Sequence, residues 1–143
     1  MPYEFLHDIG TADIAFDATG RDLGELFAAA ADATTNVMID NLDAIEPRES
    51  RTIALKNDQL DLLLFDFLNE LIYLKDCERL LLRVPSPAIE QGPGSCTLSA
   101  TARGERLDPS RHHQRADVKA VTLHGFKVEN VDGQWRCHVL LDI

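Results

Sequence analysis

The sequence predicts an α+β fold: mainly antiparallel sheet with two helices packed on it. Three observations predict it. Strand-like segments precede, separate and follow two helix-like segments, and several hairpin signals crowd the last third of the chain. Residues 58–75 are apolar on most of a helical circumference, as expected of a central helix lying on a sheet. The final segment alternates Trp135, Cys137, Val139 and Leu141 against Arg136, His138, Leu140 and Asp142, the period of a half-buried strand. A length of 143 residues fits one domain, 1–143, and 45% hydrophobic residues suffice for its core.

The elements follow in order. Residues 11–18 alternate, with Ile14 and Phe16 on one face and Asp13 and Asp17 on the other, which predicts a strand. After a turn at Thr19-Gly20-Arg21, Asp22 stands three residues before Glu25, a capping-box-like helix start. That helix carries Leu23, Leu26, Phe27, Ala30, Val37 and Met38 on one face and ends near Ile39. Residues 40–50 hold Asn41, Asp43, Pro47 and Ser50 and read as a loop. Arg51 to Lys56 is a short strand. In the helix over 58–75, Asp66, Asn69, Glu70 and Tyr73 form one narrow polar stripe at i, i+3, i+4 and i+7. Leu80 to Val84 is a strand stopped by Pro85 and Pro87, residues 88–94 a loop, and 95–105 another strand. Leu107-Asp108-Pro109 begins a turn, and residues 111–115 form a polar, basic patch. Residues 118–131 read as strand interrupted at His124-Gly125, and Asp132-Gly133 signals a type I′ hairpin into the last strand.

The charge balance, 14 − 24 = −10, disfavours broad contact with phosphate backbones, so no stable nucleic-acid binding is expected. It suits a basic protein partner or a divalent cation, and serves solubility equally well. No apolar run approaches the roughly 20 residues needed to span a bilayer, and no signal peptide is visible, so no membrane association and a cytoplasmic location are expected. Cys77, Cys96 and Cys137 form no Cys-x-x-Cys pair, which argues for free thiols rather than a disulfide framework or thiolate zinc site.

Phosphate-loop, dinucleotide-binding and nucleophile-elbow motifs are absent. His112-His113 lacks zinc spacing and reads as a surface or loop pair; His7 and His138 read as incidental. Lys119 and His124 flank a strand-to-turn segment, where lysine could hold a phosphate or an acidic partner and histidine could act as acid, base or ligand. Asp66 and Glu70 are like charges at i, i+4 beside a core; the stripe is either a solvent-facing edge or a functional one. The sharpest candidate is Asp13 with the acidic end, Asp142 and the α-carboxylate of Ile143. If the two strands are neighbours, these oxygens converge, and either a cation or shifted pKa values must relieve their repulsion. An oxygen-only donor set favours calcium or magnesium. The alternative is a solvated terminal carboxylate, with Asp13 capping a turn.

Five blocks, in order along nearly the whole chain, together resemble the archease family. They are Tyr3-Glu4-Phe5-Leu6 with Thr11-Ala12-Asp13; Asp66-Phe67-Leu68-Asn69-Glu70-Leu71-Ile72-Tyr73; Gly104-Glu105 with Asp108-Pro109 and Arg111-His112; Val118-Lys119-Ala120-Val121-Thr122 with His124-Gly125; and Val139-Leu140-Leu141-Asp142-Ile143. The resemblance implies a strand-helix-strand-strand core. It implies a protein cofactor, not an enzyme, with no catalytic residues of its own. Its partner would be an RtcB-type RNA ligase acting in tRNA splicing and RNA repair, whose guanylylation and multiple turnover it promotes. It also implies a bound divalent metal, calcium first and magnesium or manganese otherwise, held by Asp13, Asp142 and Ile143. Lys119, His124, Asp66 and Glu70 remain candidates for partner or phosphate contact. The chain departs from the family pattern at Gly10, where the family has His; any support from that side chain is lost here or supplied by His7 or Asp8. Phe67 and Leu123 replace a Trp and a Tyr. Two other readings stay open: an independent metal-dependent phosphohydrolase using Asp66, Glu70 or His124, and a chaperone-like binding module without chemistry.

Overall fold

Helix α1 (Leu23–Met38) starts where the sequence places its cap. The Asp22 carboxylate accepts the Glu25 N–H at 2.9 Å, and Glu25 reaches back to accept the Arg21 N–H at 2.9 Å. In this computed structural model, which describes residues 2–6 and 13–143, α1 and α2 (Leu60–Glu78) lie among eight strands. The strands are β1 (Tyr3–Phe5), β2 (Asp13–Gly20), β3 (Glu49–Asn57), β4 (Leu80–Arg83), β5 (Ala88–Gly92), β6 (Ser95–Arg106), β7 (Ala120–Val131) and β8 (Gln134–Asp142). Residues 7–12, and with them His7, Asp8, Gly10, Thr11 and Ala12, lie outside the described residues.

The strands form two antiparallel sheets. One runs β1-β2-β8-β7; in the other, β6 pairs β3 on one edge and β4 and β5 on the other. Both helices touch both sheets: α1 packs on β1, β2 and β8 and on β4 and β5, while α2 packs on β7 and on β3, β4 and β6. The helix pair thus fills the space between the sheets. Phe27 of α1 stacks on Phe67 of α2 with centroids 5.9 Å apart, and both are fully buried. Each such side chain contributes about 1.5–3 kcal/mol of burial. Ala29, Ala30, Ala31 and Ala33 are buried as well, and their small size lets neighbours approach α1 from several sides.

Two elements differ from expectation. Residues 88–94 do not form a loop: Ala88–Gly92 is strand β5, paired with β6 through a turn compressed to Pro93-Gly94, where Gly94 takes φ +73°. Tyr3–Phe5, unassigned from sequence, adds an edge strand to β2. The Asp132-Gly133 turn has positive φ at both residues, 54° and 85°, as a type I′ hairpin requires.

The connection between β6 and β7, residues 107–119, straps the C-terminal end of α1. That end has no basic residue in its last turn. Its carbonyls are satisfied instead by the strap: Arg115 N–H donates to the Met38 oxygen at 2.8 Å and Ala116 N–H to Val37 at 3.1 Å. The Arg111–Arg115 stretch is consequently not an open basic patch. Arg111 pairs with Glu105, Glu46 and Asp108, and Arg115 donates to the Asn36 carbonyl and stands over the Phe5 ring.

Burial pushes the Cys137 thiol up to about 12, so it stays protonated and inert at neutral pH. Cys96 is also buried, while Cys77 is exposed. A thiol reagent will therefore label Cys77 alone in the native protein, and Cys96 and Cys137 only on unfolding; mass spectrometry of the labelled peptides checks this.

Candidate functional site

The alternation of β2 and β8 decides which side chains share a face. Ile14, Phe16 and Ala18 of β2 and Cys137, Val139 and Leu141 of β8 face the helices and are buried or nearly so. Asp13 and Asp17 of β2, with His138 and Asp142 of β8, take the opposite face. In the β2–β8 register Asp13 stands directly across from Asp142, and Asp142 stands directly across from Ala120 of β7. The polypeptide's early and final strands are therefore neighbours, and two carboxylates share one row at the end of the sheet. Directly opposed residues have Cβ atoms about 4.5–5.5 Å apart, and like charges there are destabilising. Both residues are half-buried.

The donor chemistry suits a hard cation. Among the described residues no group of three or more His, Cys, Asp or Glu side chains is arranged to hold a metal ion. A cation at this row would have the two side-chain carboxylates, with the Ile143 carboxylate or water completing the shell, an oxygen-only set of the kind calcium and magnesium take.

The other predicted residues divide. Lys119 N–H donates to the Asp142 carbonyl at 2.8 Å, which brings Lys119 next to the acidic row; its side chain is exposed and forms no salt bridge among the described residues. Asp66 is held by Asn57, whose amide N–H donates to the Asp66 carboxylate at 3.0 Å, tying α2 to β3. Asn69 accepts the Val121 N–H at 3.2 Å, tying α2 to β7. Half of the polar stripe therefore fastens the helix to both sheets, while Tyr73 is 59% exposed. Glu70 is half-buried. His124 lies away from the row, in a bulge where Leu123–Phe126 stand opposite Val139 alone; it is exposed, and its N–H donates to the Thr122 hydroxyl at 3.2 Å.

Two histidines behave differently from the sequence reading. His138 is not incidental: its Nδ1 lies 2.7 Å from the Asp17 carboxylate, on the same face as Asp13 and Asp142. The shared parity of 13 with 17 and of 138 with 142 was the signal. His112 is not a surface residue but 1% exposed. Its Nδ1 accepts the Asp108 N–H at 2.8 Å, so the ring proton sits on Nε2 and is donated to Glu105 at 3.0 Å.

Glu105 is the charged centre of that cluster, 3% exposed. Burial alone would raise its carboxyl, but the Glu46 N–H at 2.8 Å, the Arg111 guanidinium and His112 outweigh it and hold it below the ordinary glutamate range. It breaks the alternation of β6, since Gly104 beside it is buried too. A Cβ at Gly104 would lie 1.7 Å from the Leu81 carbonyl, so only glycine permits β4 to pair so closely there. The segment Gly104-Glu105…Asp108-Pro109…Arg111-His112 is thus the anchor of the strap, whose far end, Lys119, binds Asp142.

Comparison with known proteins bears on the family and the fold. Residues 3–143 match the archease protein family. A protein named archease from Pyrococcus abyssi is 37% identical over 134 residues, covering 93% of this chain and 94% of its own. Another, from Methanosarcina mazei, is 34% identical over 142 residues, covering 99% and 95%. The solution structure of Methanobacterium thermoautotrophicum protein 1598 superposes with a TM-score of 0.85 at 35% identity, over 99% of each chain. A Thermotoga maritima crystal structure, described as an archease and possible chaperone, superposes with a TM-score of 0.64 over 94% and 93% of the chains; at 22% identity it speaks for the fold alone.

Proposed function

The chain belongs to the archease family, and on that premise we propose that it is a protein cofactor of an RtcB-type RNA ligase in tRNA splicing and RNA repair. It promotes guanylylation of the ligase's active-site histidine, so that the ligase turns over repeatedly, and it performs no catalysis itself. The observation that carries this reading furthest is the row in which Asp13 faces Asp142. Asp13, Asp142 and the Ile143 carboxylate would hold one divalent cation, calcium first, with magnesium or manganese as substitutes. Bound there, the ion supplies positive charge that can meet a phosphate or order a partner's groups. The chain's own residues do the rest. Asp13 and Asp142 present oxygens on one face of the sheet. Lys119, tied through its backbone to Asp142 and exposed, is the candidate cation for a phosphate or an acidic group. The net charge of −10 favours docking on a basic protein surface over holding RNA.

Multiple-turnover ligation by an RtcB-type ligase, with and without this protein, tests the proposal. Stimulation beyond one turnover is expected; folded protein that leaves the ligase at a single turnover overturns it. A tag appended after Ile143 removes the free carboxylate next to Asp142. Such a protein will bind calcium more weakly and stimulate less than an N-terminally tagged one, and equal behaviour would remove Ile143 from the ligand set.

A further inference from the structure

We infer that Asn69 is a positioning residue for the acidic row, fixing the start of the edge strand β7 to helix α2 where Ala120 faces Asp142; the inference rests on the cation reading proposed above. β7 is the outer strand of its sheet, with β8 on one side only. Its first residues must stay paired beside two carboxylates that repel each other. Besides the ladder pairing with β8, two hydrogen bonds hold this end. Lys119 N–H donates to the Asp142 carbonyl at 2.8 Å, and Val121 N–H donates to the Asn69 side-chain oxygen at 3.2 Å. Val121 pairs with Leu141, and its neighbour Ala120 pairs with Asp142, so the Asn69 contact lies one residue from the row. Helix α2, which buries Leu63, Leu64, Phe67, Leu68, Leu71 and Ile72 along one side, carries Asn69. Its carboxamide makes the contact without adding charge to a stripe that already contains Asp66 and Glu70. Residues that orient ligands without touching the metal typically change affinity by 10- to 100-fold when removed.

Three variants test this. Asn69→Ala removes the acceptor; Asn69→Asp keeps an acceptor at the same place; Asn57→Ala cuts the other tie of α2, to Asp66 and β3, away from the row. Calcium affinity by titration and hydrogen exchange of the Val121 amide in metal-free protein are the two readouts. N69A is expected to lose Val121 protection and bind calcium about tenfold more weakly. N69D is expected to keep both, with affinity at or above wild type, and N57A to leave both unchanged. When wild type binds calcium, N69A with either wild-type protection or wild-type affinity, or N57A with an equal loss of affinity, overturns the inference. If the wild type binds no divalent cation while N69A still loses Val121 protection, the cation reading has failed and the strand-holding role of Asn69 stands alone.

Discussion

Glu105→Ala lowers the melting temperature by on the order of 10 °C. The wild-type carboxylate is almost fully enclosed and receives the Glu46 N–H, the His112 Nε2–H and the Arg111 guanidinium. Removing it strands a buried imidazole and a backbone donor, and breaking one partner of a buried charge network costs about 3–5 kcal/mol. For a chain of this length each kcal/mol shifts the midpoint by about 2–4 °C or slightly more. The loss carries a pH signature. Glu105 is held below its unfolded value, so it contributes stability fully present above the unfolded glutamate pKa of about 4.3 and lost as pH falls through its folded value. The difference in stability between wild type and Glu105→Ala is therefore constant from neutral pH down to about 5 and shrinks in stronger acid. Thermal unfolding across that range checks the sign.

On the proposed function, Asp13→Asn is expected to abolish stimulation of the ligase and to split the stability response in two. Without metal, the variant is more stable than wild type by about 0.2–1 kcal/mol, because one of two directly opposed like charges is gone. If the row binds calcium as proposed, then at 100 times its dissociation constant wild type is expected to gain about 2.7 kcal/mol and the variant none. The order of melting temperatures thus reverses on adding calcium. A variant that is merely misfolded would melt lower in both conditions, and a binding module without a metal role would keep its stimulation. Asp142→Asn should behave alike, since the two residues stand in one row.

The row itself was legible in the sequence. Period-2 alternation puts Asp13 on the face opposite Ile14 and Phe16, and Asp142 on the face opposite Trp135 and Leu141. What pattern reasoning could not supply was the pairing partner; the family blocks supplied the connection, and the register made it concrete. The helices were legible for a simpler reason: α1 has a capping sequence and α2 an apolar run. β5 was not, because nearly all of its residues are exposed, and a solvated hairpin arm leaves no hydrophobic period to read. Glu105 and His112 were missed because their burial comes from the strap folding over the end of β6, a long-range event that local periodicity does not encode. The polar stripe of α2 was seen, but not that Asn69 and Asp66 spend their hydrogen bonds on the two sheets.

The most direct measurement is a calorimetric titration of calcium into metal-free protein, comparing wild type with the Asp13→Asn, Asp142→Asn double variant. One ion per chain binding to wild type, and none to the double variant at the same concentrations, is the predicted result. Equal binding by both proteins would contradict it, because the cation would then sit somewhere other than between the two facing strands.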